Sequence, residues 1–170
     1  TKELQGAAWH PYLQALDQLA RLQDREVIWL PFHSAQDRGL LEQLDQQQLL
    51  PAGLAGRSRE VLAERPSEAM AVASGAGLVV AMRLHGLILA ALAGAPCAAL
   101  SYDPKVQAAA DGLGCPCHNL DAMAAPAELL AAWSGALDSP PAAARLAALR
   151  QQTEVHRQLL QDLANQIAVC

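Results

Sequence analysis

Six polar side chains interrupt the otherwise apolar stretch Gly77–Lys105 (GLVVAMRLHGLILAALAGAPCAALSYDPK): Arg83, His85, Ser101, Tyr102, Asp103 and Lys105. A charge buried in an apolar strand–helix–strand unit is unfavourable unless a partner or a ligand answers it. Arg83 stands where a helix should begin, so its guanidinium and the open helix N–H groups could grip a phosphate or carboxylate together. The competing reading is structural, with Arg83 bonding a nearby carbonyl or pairing with Asp103. His85 lies in the same first turn, where the helix field favours a neutral imidazole and a bound anion would favour protonation, as a general acid needs. His33 with Asp37, in WLPFHSAQD, could form an oriented acid/base pair, unless Asp37 simply caps the helix that follows. Ser101, Tyr102 and Lys105 close the set, Lys105 offering a cation to an anionic ligand or to solvent.

These residues need a scaffold that brings them together. Val27–Phe32 is short, apolar and β-branched or aromatic, and residues 78–82 form a continuously apolar run, the mark of a strand buried on both faces of a parallel sheet. Further strands are expected over 97–100 and 117–120, with a brief edge strand at 61–62. Apolar spacing and Pro, Gly and Ser punctuation predict helices over 11–23, 37–47, 67–74, 84–93, 106–111 and 127–137, and one long terminal helix over 142–168. Ser67 is the expected cap of its helix, and 50–59 (LPAGLAGRSR) reads as a loop by its Pro and Gly content. Strands alternating with helices give an α/β fold, a Rossmann-like doubly wound parallel sheet. In such a sheet the polar sets after three strands share the rim at the strands' C-terminal ends, where ligands bind.

Length and composition narrow the classes. At 170 residues the chain is one domain's worth, and 52% hydrophobic content supports a proper core. A net charge of −5 and only six aromatic residues argue against a nucleic-acid surface. Four cysteines, unevenly placed, suit a reducing compartment better than a disulfide framework. The polar N-terminus lacks the look of a secretory signal, and the run 86–100 is broken by Gly94 and Pro96, so it reads as core rather than a membrane span. The first residue is not Met, which fits a fragment or a processed chain. Cys115-Pro116-Cys117-His118 has no ordinary zinc spacing, and Gly75-x-Gly77 precedes a strand rather than following one, so neither a metal nor a dinucleotide cofactor is expected.

VVAMRLHGLILAALAGAP followed by ALSYDPKV, with WLPFHSAQD upstream, resembles the C-terminal half of the polysaccharide pyruvyl transferases, the CsaB-like group, from about residue 11 to residue 114. The resemblance implies the C-terminal half of a glycosyltransferase-B-like fold, spanning 1–170, whose N-terminal domain is missing from this sequence together with the strand ahead of the first helix. It implies phosphoenolpyruvate as the donor substrate and no separate cofactor. The acceptor would be a cell-wall or surface glycan, lipid-linked or free, in the cytoplasm or at the inner face of the membrane. Arg83 and His85, the Arg and His of M-R-x-H, would contact phosphoenolpyruvate; Ser101, Tyr102 and Lys105 complete the substrate-binding set, and His85, His33 and Asp37 the acid/base set. Homo-oligomerisation stays open. Two other classes compete: a nucleotide-sugar domain of a glycosyltransferase, with Asp121 or Glu128 as a ribose ligand, and a non-catalytic binding domain that has kept the fold.

Overall fold

The computed structural model describes residues 4–33, 36–137, 139–148, 150 and 151. A 3-10 turn, Gly6–Trp9, leads into α1 (His10–Leu22), and the order continues β1 (Val27–Trp29), α2 (Leu40–Gln46), α3 (Ala52–Ala55), β2 (Ser58–Glu60), α4 (Pro66–Ser74), β3 (Val79–Ala81), α5 (Leu84–Leu92), β4 (Cys97–Ser101), α6 (Pro104–Leu113), β5 (Cys117–Asn119) and α7 (Pro126–Ala136). Residues 143–148, 150 and 151 are helical, and 142 is not; 149 and 152–168 of the expected terminal helix lie outside the described residues.

All ladders are parallel, as the continuously apolar strands predict. Alternate strand residues point to opposite faces, and each face has its own core. Val79, Ala81, Cys97 and Ala99 face α4, α5 and α6 and pack with Leu87, Ala90 and Val106. Leu78, Val80, Ala98 and Leu100 face the other way, toward Leu13 and Leu19 of α1 and Leu129 and Trp133 of α7. Helices on both faces make this a mixed α/β, Rossmann-like arrangement.

The structure departs from the sequence reading in three places. The stretch 50–59 is not a loop: it holds α3 and the start of β2, and the edge strand falls at Ser58–Glu60 rather than at 61–62. Ser-Arg-Glu has no apolar pattern; it is a strand because its neighbours hold it there. Ser58 Oγ accepts from the Trp29 indole at 3.1 Å, and Arg59 forks onto Glu26 at 2.9 and 3.0 Å. Second, α4 begins at Pro66 under an Arg65–Glu68 box, so the cap is Arg65 and not Ser67. Third, the strands do not form one continuous ladder. They fall into β2–β1 and β3–β4–β5, with a cavity of about 710 Å³ between β1 and β3.

Leu87 sits in the second turn of α5, fully buried against the alanine-rich core of that face. Leu87→Ala should lower stability by about 2–5 kcal/mol, because small neighbours cannot collapse into the space; urea denaturation followed by circular dichroism measures it.

Candidate functional site

The three polar segments do meet. Arg83 ends the segment after β3 and is the N-cap residue of α5, its backbone extended. Its guanidinium reaches across to the segment after β1: Nη2 donates to Asp37 Oδ1 at 2.6 Å and to Gln36 Oε1 at 2.8 Å, and Nε donates to Asp37 Oδ2 at 3.1 Å. On the other side Nη1 lies 3.1 Å from the Tyr102 hydroxyl, in the segment after β4. One arginine thus ties together the rim ends of three strands. Its partner is Asp37, neither Asp103 nor a carbonyl.

Asp37 is 9% exposed and does not form a pair with the His33 imidazole. Its Oδ2 instead accepts from the backbone N–H of His33 at 2.9 Å and of Phe32 at 3.3 Å. It does not cap α2 either: the helix starts at Leu40, with Gly39 as N-cap in the left-handed region at φ 74°. Glu60 of β2 holds this turn, accepting from the Gly39 N–H at 3.0 Å. Burial works to raise the Asp37 carboxyl pKa, but the Arg83 hydrogen bonds and charge, with the two amides, outweigh it and hold the group below the usual carboxylate range. The Arg83 pKa is correspondingly raised, first by its hydrogen bond to Asp37. Asp37 is therefore a carboxylate at neutral pH, suited to anchoring and unsuited to giving a proton.

The remaining residues divide by exposure. Ser101 is 3% exposed and its hydroxyl donates to the Asp103 carbonyl at 2.9 Å, so it shapes the turn rather than facing a ligand. Asp103 caps α6, accepting from the Lys105 amide at 2.8 Å. The SYDPK segment is thus a helix start, not merely a turn. His33, His85 and Lys105 are exposed, and their side chains have no hydrogen-bond partner among the described residues. The Phe32 ring lies over the first turn of α5: a Cβ on Gly86 would stand 3.2 Å from it. That contact sets the His33 segment against the helix start that carries His85. Among the described residues no side chain caps the start of α5. Gln36, Phe32 and Glu60 were not foreseen; the acidic residue in an otherwise plain Ser-Arg-Glu segment was the only trace of the last.

The Cys115–Cys117 segment gathers no metal cluster: among the described residues no three His, Cys, Asp or Glu side chains converge. Burial pushes the Cys97 thiol up to about 12 and the Cys115 thiol up to about 11.

A doubly wound α/β domain with cations collected at one rim is the class that fold and site define. Residues 4–104, more than half of the 170, match the polysaccharide pyruvyl transferase family, and the chain belongs to that family. The match takes in β1 through β4, including Asp37, Arg83 and Tyr102. No curated protein and no solved structure matches the chain.

Two outcomes test this geometry. Asp37→Asn should cost about 2 kcal/mol at neutral pH by leaving the half-buried Arg83 charge unanswered. A depressed native pKa stabilises the fold above the unfolded value, about 3.9 for Asp, and that contribution is lost as pH falls through the native value. The wild-type stability curve should thus fall more steeply on acidification below about pH 4 than the Asn variant's in urea melts. Cys97 and Cys115 should resist iodoacetamide at pH 8 until the chain is unfolded, since only the thiolate reacts; mass spectrometry of labelled peptides reads this.

Proposed function

We propose that this chain forms the phosphoenolpyruvate-binding wall of a pyruvyl transferase that builds a pyruvate ketal on a sugar of a cell-wall or surface polysaccharide. The observation that carries the reading is the fixed position of Arg83. Asp37 neutralises its charge and Tyr102 and Gln36 orient it, so four of its five N–H bonds are used and one remains at Nη1 among the described residues. With Asp37 and Arg83 balanced, the exposed cation Lys105 and the histidines His33 and His85 give the rim its capacity for an anion. The open amides at the start of α5 add partial positive charge. A donor with a phosphate and a carboxylate suits such a rim.

Protonation of the donor's methylene carbon by His85 or His33 forms a C–H bond and leaves a cationic centre on the carbon that bears the phosphate. A sugar hydroxyl attacks that carbon and loses its proton. The C–O bond to phosphate then breaks, phosphate leaves, and a second hydroxyl of the same sugar closes the ketal. Arg83, Lys105 and the α5 amides stabilise the phosphate and carboxylate charges throughout. Asp37 holds Arg83 and takes no proton.

In this reading the residues form the C-terminal half of a glycosyltransferase-B-like enzyme working in the cytoplasm, on a glycan acceptor that is lipid-linked or free. The second domain supplies the acceptor wall. Among the described residues no helix is long and apolar enough to cross a membrane.

Phosphate release from phosphoenolpyruvate, measured with acceptor glycan in the two-domain enzyme, tests the assignment. Arg83→Ala should reduce the rate at least ~100-fold, and Lys105→Ala should raise KM for phosphoenolpyruvate ~10-fold with little change in kcat, as expected for one lost charge contact. Unchanged binding of phosphoenolpyruvate to Arg83→Ala by calorimetry would overturn the reading. The 170 residues alone should show no turnover.

A further inference from the structure

Arginine can only donate hydrogen bonds, so each group it bonds must turn an acceptor toward it. At Arg83 that rule fixes two neighbours. Gln36 accepts from Nη2 at 2.8 Å, so its carboxamide oxygen faces the guanidinium and its NH2 group is turned away. The Tyr102 oxygen accepts from Nη1 at 3.1 Å, so its own O–H also points away from the guanidinium. Neither group donates to an acceptor among the described residues. Together with the N–H left over at Nη1, the segments after β1, β3 and β4 thus present a row of unused donors.

This row offers hydrogen bonds and little net charge. The Asp37 carboxylate forks onto Arg83 and cancels it, while an amide and a phenol O–H add donors without charge. A phosphate dianion is costly to take from water and needs unbalanced cations. The rim supplies those elsewhere, at exposed Lys105. A carboxylate carries one charge, is planar and only accepts, so donors of fixed orientation match it. A sugar hydroxyl, which must donate as well as accept, fits such a row less well. The identity of residue 36 points the same way. Glutamate there would hold Arg83 more strongly, but it would turn an oxygen, not N–H bonds, toward an arriving anion.

We infer that Gln36 is a substrate-binding residue: with the Tyr102 O–H and the free Nη1 N–H of Arg83 it holds the carboxylate of the donor, which leaves the phosphate to Lys105 and the histidines. The inference rests on the reading of this rim as a phosphoenolpyruvate site and assigns each end of the donor to its own set of groups. Gln36 then has two tasks. Its oxygen helps to hold Arg83, and its N–H bonds read the ligand. The site selects for a carboxylate through hydrogen-bond direction, and for a phosphate through charge.

Phosphorus NMR titrations of the two-domain enzyme test it with two probes: phosphoenolpyruvate, and vinyl phosphate, which has the same phosphate and no carboxylate. Gln36→Met and Tyr102→Phe should each weaken phosphoenolpyruvate ~10-fold and vinyl phosphate less than about twofold, since each removes a donor to the carboxylate alone. Gln36→Glu keeps the oxygen that Arg83 needs and gives up the N–H donors. It should weaken phosphoenolpyruvate at least ~100-fold and vinyl phosphate only ~3-fold, through its added charge. If Gln36 served only to hold Arg83, Gln36→Glu would bind phosphoenolpyruvate as the wild type does, and that result would overturn the inference. So would an equal loss for both probes in Gln36→Met, or unchanged phosphoenolpyruvate binding with a raised KM for the acceptor glycan, which would give the row to a sugar hydroxyl. A wild-type enzyme that binds no phosphoenolpyruvate would instead bring down the proposed function, and this inference with it.

Discussion

The forked ion pair between Arg83 and Asp37 is the contact on which the rim depends. It bridges the segments after β1 and β3, the two strands that make no ladder bond to each other. The carboxylate that receives the guanidinium also gathers the Phe32 and His33 amides, so a single charge orders the turn and aims the arginine. A bidentate arginine contact is directional as well as strong, and lysine at position 83 would not reproduce it. The Tyr102 hydroxyl extends the same fixation to the end of β4.

Beneath the rim, the strands are short and their side chains small. Alanine at 81, 98 and 99 lets helices approach closely on both faces, and the two cores are separated by the side-chain alternation of the strands themselves. The alanine-rich composition is therefore a packing solution. The cavity between β1 and β3 is lined instead by larger residues, Trp9, Tyr12, Ile28, Trp29 and Val80 among them.

Membership in the polysaccharide pyruvyl transferase family and the charge balance at the rim point the same way. With Asp37 and Arg83 cancelling, the surface that remains carries His33, His85 and Lys105. That division separates two tasks a first reading of the residues merges: Asp37 holds the arginine, and in the proposed mechanism the exposed histidines carry the proton.

How far the residues alone could be read depended on whether their information was local. The apolar runs of β3 and β4, the punctuation of α5 and α6, and the parallel, two-faced α/β architecture are all local patterns of hydrophobicity and capping, and they were legible. So was the meeting of three polar segments at one rim, because a parallel sheet puts equivalent strand ends together. The polar strand Ser58–Glu60 was not legible, since its stability comes from Trp29, Glu26 and the β1 edge, all distant in the chain. Nor was the role of Asp37: four residues from His33 suggested an acid/base couple, while the partner that lowers its pKa lies 46 residues away. The sequence by itself determined which side chains are available and which elements present them. Only the tertiary structure decided which charges cancel, which remain exposed, and that β1 and β3 stand apart, because ion pairing and strand pairing are settled by distances that sequence spacing does not encode.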